Sequence, residues 1–107
     1  MNLKPSLSCI KQKVYAYIQA EVAGKKRLLV FKHVHNPDAG IQVPGGSVEA
    51  DEPIPTAVMR EAQEETGLNH LRLIKMLGVV ERDMAEFGLA EVQERHYFLL
   101  ECTDYPG

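Results

Sequence analysis

Cysteine, long apolar runs and positive charge are all scarce in this 107-residue sequence, and each scarcity excludes a class of protein. The two cysteines, Cys9 and Cys102, lie far apart and outside any C-x-x-C or Cys/His spacing. They read as reduced structural thiols and predict a cytoplasmic protein, not a disulfide scaffold. No run approaches the roughly eighteen apolar residues of a membrane-spanning helix. Met1 to Ile10 has no apolar stretch of the kind an export signal needs. Twelve Lys and Arg stand against fifteen Asp and Glu, for a net charge of −3, and the cations are spread along the chain. That distribution excludes a basic stripe for duplex nucleic acid. What remains is ordinary, at 45% hydrophobic and 25% charged, with Gly and Pro scattered. Such a composition predicts one soluble globular domain over residues 1–107, large enough to bury a core without disulfides.

The hydrophobic pattern sets the order of elements. From Lys13 to Ala20, Val14, Ala16, Ile18 and Ala20 alternate with Tyr15, Tyr17 and Gln19, which predicts a strand. Ala23-Gly24-Lys25-Lys26 turns into Arg27 to Lys32, a more continuous apolar run expected as a more buried strand and the second arm of a hairpin. His35 to Gly40 has loop chemistry, and Ile41 to Val43 is a short strand stopped by Pro44-Gly45-Gly46. A helix runs from about Pro55, which suits a first turn, to Gly67, which suits a helix end. Leu71 to Arg82 and Arg95 to Cys102 predict further strands joined by a loop around Glu86 to Gln93. Strand-rich with one central helix, the chain is expected to form a mixed sheet with that helix on one face.

The helix carries the chemistry. At about 100° per residue, Glu61, Glu64 and Glu65 fall within roughly 100° of one another, beside small Ala57. Val58, Met59 and Ala62 occupy the neighbouring sector and can seat the helix on the sheet. A solvated acidic face is the plain alternative and the default for a Glu-rich helix. Against it, carboxylates in the last turns face the unfavourable end of the helix dipole and repel one another. Only Arg60, four residues before Glu64, offers local relief. Local rules broken together mark functional sites, and a hard divalent cation would reverse both penalties. The glycine turn could bring backbone groups close to a ligand, although Pro-Gly-Gly alone is more often just a tight turn.

These residues spell Gly46, five residues, Glu52, seven residues, then Arg60-Glu61-Ala62-Gln63-Glu64-Glu65-Thr66-Gly67-Leu68. The pattern resembles the signature of the Nudix hydrolases at every fixed position, with Ala62 and Leu68 at its two apolar positions. A chance match in a chain this short is on the order of 10⁻⁷ or less. The resemblance implies an α+β fold of the α-β-α sandwich type, with a mixed sheet, the catalytic helix on one face and the family's C-terminal helix missing. It implies a hydrolase that cleaves a pyrophosphate bond in a nucleoside diphosphate linked to another moiety. By the resemblance, Glu61, Glu64 and Glu65 hold Mg²⁺ or Mn²⁺ together with the Gly45 carbonyl, and Arg60 orients Glu61. Glu52 is then a structural member of the box. Glu61 and Glu64 carry the catalysis with Arg60, and the partner is a small nucleotide-type molecule.

Other features stay open on sequence grounds. The general base is Glu61 or a later acid, with Glu81, Asp83, Glu86, Glu91 and Glu94 as candidates, each more plausible alone as a solvated surface residue. A base beyond Gly107 is the remaining option. His33 and His35 would share a strand face, but a loop-edge His pair is more often incidental. Tyr15, Tyr17, Phe31, Phe87 and Tyr97 could stack on a base, with core packing the better expectation for most of them. No marker of the coenzyme A, NADH or ADP-ribose branches is present. A nucleotide-binding regulatory domain without turnover is the rival reading, weakened because every acid of the box is in place. The sequence stops just past a strand. This predicts a domain truncated at its C-terminus, or a homodimer in which a second copy covers the other sheet face.

Overall fold

The computed structural model describes residues 10–32, 35, 38 and 40–105. Cys9, His33, Pro106 and Gly107 lie outside these residues, and with them the first thiol, the histidine pair and the chain end discussed above. Among the described residues, seven strands and one α-helix follow in order: β1 Ile10–Val22, β2 Lys25–Leu29, β3 Phe31–Lys32, β4 Ile41–Gln42, β5 Gly45–Ser47, α1 Ile54–Thr66, β6 Leu71–Asp83 and β7 Val92–Cys102. A single 3-10 turn, Met84–Phe87, lies between the last two strands.

The main sheet runs β2-β1-β7-β6, with β5 also pairing β1, while β3 and β4 form a separate two-stranded ribbon. Strand β1 is parallel to β7 and antiparallel to β2 and β5, so the sheet is mixed as expected. Residues Ala23 and Gly24, at φ 52° and 76°, make the two-residue turn between β1 and β2. Two positive φ values in succession match the twist of the flanking strands.

The alternation read in β1 is the one observed. Val14, Ala16, Ile18 and Ala20 are all buried, and register places His96, Phe98, Leu100 and Cys102 of β7 beside them. Helix α1 closes this face with Ala57, Val58 and Ala62, each fully buried. Fully burying a side chain such as Ile18, Leu100 or Val58 stabilises by about 1.5–3 kcal/mol, so this contact anchors the helix. Truncating Leu100 to Ala would cost about 2–5 kcal/mol through lost transfer energy and the cavity left behind.

Three expectations change on inspection. Strand β2 is mostly exposed, not buried, because it occupies the sheet edge and only Leu29 turns toward the core. The apolar run that suggested burial is split: Val30 is 58% exposed and Phe31 belongs to the other sheet. In place of a plain loop before β7, Asp83 caps the 3-10 turn by accepting from Ala85 N–H at 2.9 Å.

The second sheet face is neither bare and apolar nor polar. Tyr15 and Tyr97 stack at 5.2 Å and Tyr17 and Tyr97 at 6.3 Å, among half-buried Lys13, Gln19, Arg95 and Leu99. Among the described residues no second α-helix lies over it. No described helix is long and apolar enough to cross a membrane.

Candidate active site

The acidic helix is placed by its two ends. Pro53 is the N-cap residue without a side-chain cap, and the helical bonding begins when Ala57 N–H donates to the Pro53 carbonyl at 3.0 Å. At the other end Gly67 adopts φ 69° and its N–H donates to Gln63 O at 2.8 Å. The Thr66 hydroxyl donates to Ala62 O at 2.6 Å and accepts from Leu68 N–H at 3.1 Å. A residue with a Cβ would be strained at the left-handed position that Gly67 takes. No acid lies in the first turn and no base in the last, so the helix does nothing to offset its own dipole.

Arg60 is the hub of the site. Its Nε and Nη2 donate to the two oxygens of Glu52 at 2.7 and 2.9 Å, the fork geometry that suits guanidinium and carboxylate. Nη1 donates to Glu61 Oε1 at 2.8 Å and reaches Glu64 Oε2 at 3.4 Å, and Nη2 also meets the Ser47 carbonyl at 3.1 Å. Glu52 in turn accepts from Glu49 N–H at 3.0 Å. The Arg60 bonds and this backbone donor hold the Glu52 carboxyl at about 2, well below its usual 4.5. The bonds that Arg60 donates to Glu52 and Glu61 raise its guanidinium, which stays charged.

Glycines 45 and 46 make the close approach that the sequence only suggested. A Cβ on Gly46 would collide with the Glu61 carboxylate, and one on Gly45 with the Tyr15 ring and the Val14 carbonyl. The turn is therefore more than a turn: Gly46 is the bed on which Glu61 lies. The Glu61 side chain is 15% exposed and that of Glu64 is 60% exposed. Ala57, expected beside the carboxylates, is fully buried, so the acidic face borders the sheet and is not simply a solvated surface.

Among the described residues no three acidic, histidine or cysteine side chains converge closely enough, as they stand, to hold a metal ion. The donor chemistry nonetheless fits a hard divalent cation, being carboxylate oxygens on one helix face beside the backbone of Gly45. Glu61 is held by Arg60 and lies against Gly46, whereas Glu64 and Glu65 are exposed.

The later acids lie elsewhere. Glu86 pairs with Arg82 at 2.7 Å, and Glu91 lies 3.6 Å from Lys11. Glu94 accepts from Gln12 at 3.0 Å and meets His96 at 2.7 Å. Gln93 chiefly holds Glu91 below the usual carboxylate range, and Gln12 and His96 do so for Glu94, which makes both weaker bases. Glu81 lies opposite Glu94 in the β6–β7 pairing, and the Asp83 carboxylate caps the turn that follows.

A cleft of about 460 Å³ opens beside Gly45 and Glu65, bounded by Tyr15, Phe31, Lys32 and Gln42. The sequence reading missed Lys32, Gln42 and Thr66 as cleft residues. Their signal was positional, since Gln42 stands two residues before Pro44 and Thr66 directly follows the last box acid.

Comparison with known proteins agrees with this geometry. The NUDIX domain family model matches residues 14–106. A MutT NUDIX hydrolase from Burkholderia pseudomallei aligns at 32% identity and a TM-score of 0.54, over 84% of this chain and 67% of that one. A MutT protein from Methanosarcina mazei Go1 aligns at 25% identity and a TM-score of 0.59, over 90% and 65%. A C. elegans Ap4A hydrolase shares the fold at a TM-score of 0.69 and 18% identity, over 92% and 72%. A search of curated proteins gives no match. The chain belongs to the Nudix family. By its fold and its box it is a pyrophosphohydrolase, an enzyme acting on phosphorus-containing acid anhydrides.

Proposed function

We propose that the chain hydrolyses a pyrophosphate bond in a nucleoside diphosphate linked to another moiety, with Mg²⁺ or Mn²⁺ as cofactor. The observation that carries this reading is the Glu52–Arg60–Glu61 relay pressed onto Gly46. A solvated helix face has no need of a half-buried carboxylate seated on a glycine, nor of an arginine that bridges it to Glu52.

In this reading Glu61, Glu64, Glu65 and the Gly45 carbonyl hold the metal, which supplies charge neutralisation of the phosphates and a more acidic water. Arg60 keeps the Glu61 carboxylate aimed, and Glu52 keeps Arg60 from reorienting toward the substrate phosphates. Gly46 fixes the depth at which Glu61 sits. None of Glu81, Asp83, Glu86, Glu91 and Glu94 lines the cleft that Glu65 borders, which supports Glu61, on the same helix face as Glu65, over a later acid as the general base. A net charge of −3 also calls for a cation when the substrate is a polyanion.

A phosphate-release assay over a panel of nucleotide substrates tests the reading. Turnover is expected with Mg²⁺ or Mn²⁺ and should vanish with chelator. Full turnover in excess EDTA would sink it.

A further inference from the structure

The two borders of the main sheet are finished differently. On one side β1 divides its outer edge between β5, from Lys13 to Tyr15, and β2, from Ile18 to Val22. Strand β2 then closes the sheet with five residues that include Lys25, Lys26 and Arg27, charges that keep an open edge from pairing with another chain. On the other side β6 is thirteen residues long and, among the described residues, bonds β7 alone. Its window Met76-Leu77-Gly78-Val79-Val80 holds neither charge nor proline. The register to β7 shifts twice between Leu73 and Gly78, but from Gly78 to Asp83 it is unbroken, which leaves a regular outer edge.

The side chains repeat the contrast. Among the described residues, seven of the twelve large apolar side chains left exposed fall between Ile74 and Leu89, with Met76, Leu77, Val79 and Val80 on β6 and Phe87 in the turn beyond it. They are 37% to 59% exposed. At that exposure they offer roughly 600 Å² of apolar surface per copy, near the ~800 Å² that each partner of a standard interface buries. The charged residues alongside supply the remainder. Lys75 precedes the window and Glu81 follows it, while Arg72 and Arg82 are already bonded to Glu101 and Glu86. An antiparallel second copy therefore brings the Lys75 end of each strand to the Glu81 end of the other. Its edge has the same length and the same uncharged window, and a two-fold arrangement uses both β6 edges at once.

We propose that β6 and the turn after it form the interface of a two-fold homodimer, in which the second copy extends the sheet edge to edge and does not cover its tyrosine face. The inference goes beyond the hydrolase reading, and turnover by a monomer or a dimer alike leaves that reading intact.

Sedimentation of the 107-residue chain, from about 1 to 200 µM, tests it against Val80→Lys in the window and Leu28→Lys on the opposite edge. Leu28 is as exposed as Val80, so the two variants differ in place and not in burial. Wild type should approach twice the 12.0 kDa chain mass as concentration rises. Val80→Lys sets two like charges close together across the two-fold and should weaken association about a hundredfold, whereas Leu28→Lys should leave it within about twofold. Circular dichroism should report both variants folded. Hydrogen exchange on wild type gives a reading that needs no variant: amides from Met76 to Asp83 should exchange more slowly at the high concentration than at the low one, and those of β2 should not. A monomer at every concentration overturns the proposal. So does a dimer that Val80→Lys leaves intact, one that Leu28→Lys disrupts equally, or a series of larger species in place of a closed pair.

Discussion

The two halves of the box differ in kind although both are acidic. Glu52, Arg60 and Glu61 interlock through the hydrogen bonds of one guanidinium, with side chains 11% to 23% exposed, and Gly46 lies against Glu61. One turn further on, Glu64 and Glu65 are exposed, and Glu65 borders the cleft. The first half forms a frame, and under the proposed function the second is the receptor. The comparison teaches that carboxylates of nearly identical helical phase can be drawn to different depths by one arginine, which holds Glu61 at 2.8 Å and reaches exposed Glu64 only at 3.4 Å.

The largest expected effect is on rate at the receptor. Glu65→Gln keeps size and removes a charge, so it should lower kcat by roughly 10²-fold or more. It should leave the melting temperature level or slightly raised, because repulsion at the negative end of the helix is relieved. A near-normal rate would return Glu65 to the solvated surface and erase the distinction. Glu61→Gln should cost as much in rate, but it also replaces a charged bond to Arg60, so its melting temperature should not rise. Steady-state rates and thermal melts on both variants separate the halves.

Gly46→Ala comes next and sharpens the idea of a frame. The added methyl collides with the Glu61 carboxylate, which must leave its bed. Activity should fall at least tenfold, since a misplacement of about 1 Å can cost on the order of 10²-fold. Far-ultraviolet circular dichroism should still report a folded chain. Wild-type kinetics for this variant would mean that the depth of Glu61 is irrelevant.

The smallest effect is in pH dependence. Glu52 titrates at about 2 when folded, below its ordinary 4.5. Because the folded value is depressed, the stabilisation is present above pH 4.5 and is lost as the pH falls toward about 2. Glu52→Gln should therefore melt below wild type at pH 6, and the gap should close on acidification through that window. A constant gap from pH 6 to pH 2 would show that shape, not charge, joins Glu52 to Arg60.

Much of this was legible beforehand, for identifiable reasons. The alternation from Val14 to Ala20 fixed a strand and its buried face because side chains on a strand repeat every two residues, and one face meets a helix. The stretch from Pro55 to Gly67 gave the helix to within a residue of Ile54–Thr66, since proline and glycine act locally at its ends. The spacing of the box placed Arg60 within reach of Glu61, but that Glu52 would take two of its hydrogen bonds depends on the loop path from Ser47 to Pro53. Strand β2 misled because an apolar run does not say which strand lies at the edge. In β6, irregularities between Leu73 and Lys75 and between Met76 and Gly78 shift the face on which later residues lie, and no local pattern announces them. The cleft was hidden for a different cause: it joins β1, β3, β4 and the end of α1, which only the finished fold brings together.

The parallel pairing of β1 with β7 bears on how the molecule comes into being. Each bonded register between them spans 82 positions of sequence, from Ile10 with Val92 to Ala20 with Cys102. Closing so long a loop is slow, and the pair forms the middle of the sheet, on which helix α1 rests. During synthesis the chain would hold the acidic helix and the glycine bed from Thr66 until Cys102 is made, with half of their platform still missing. Commitment to the native state is therefore expected only after Cys102 has emerged from the ribosome. Until then the nascent chain exposes Val14, Ile18 and Val58, and it is in that interval, more than in the finished protein, that chaperone capture should be sought.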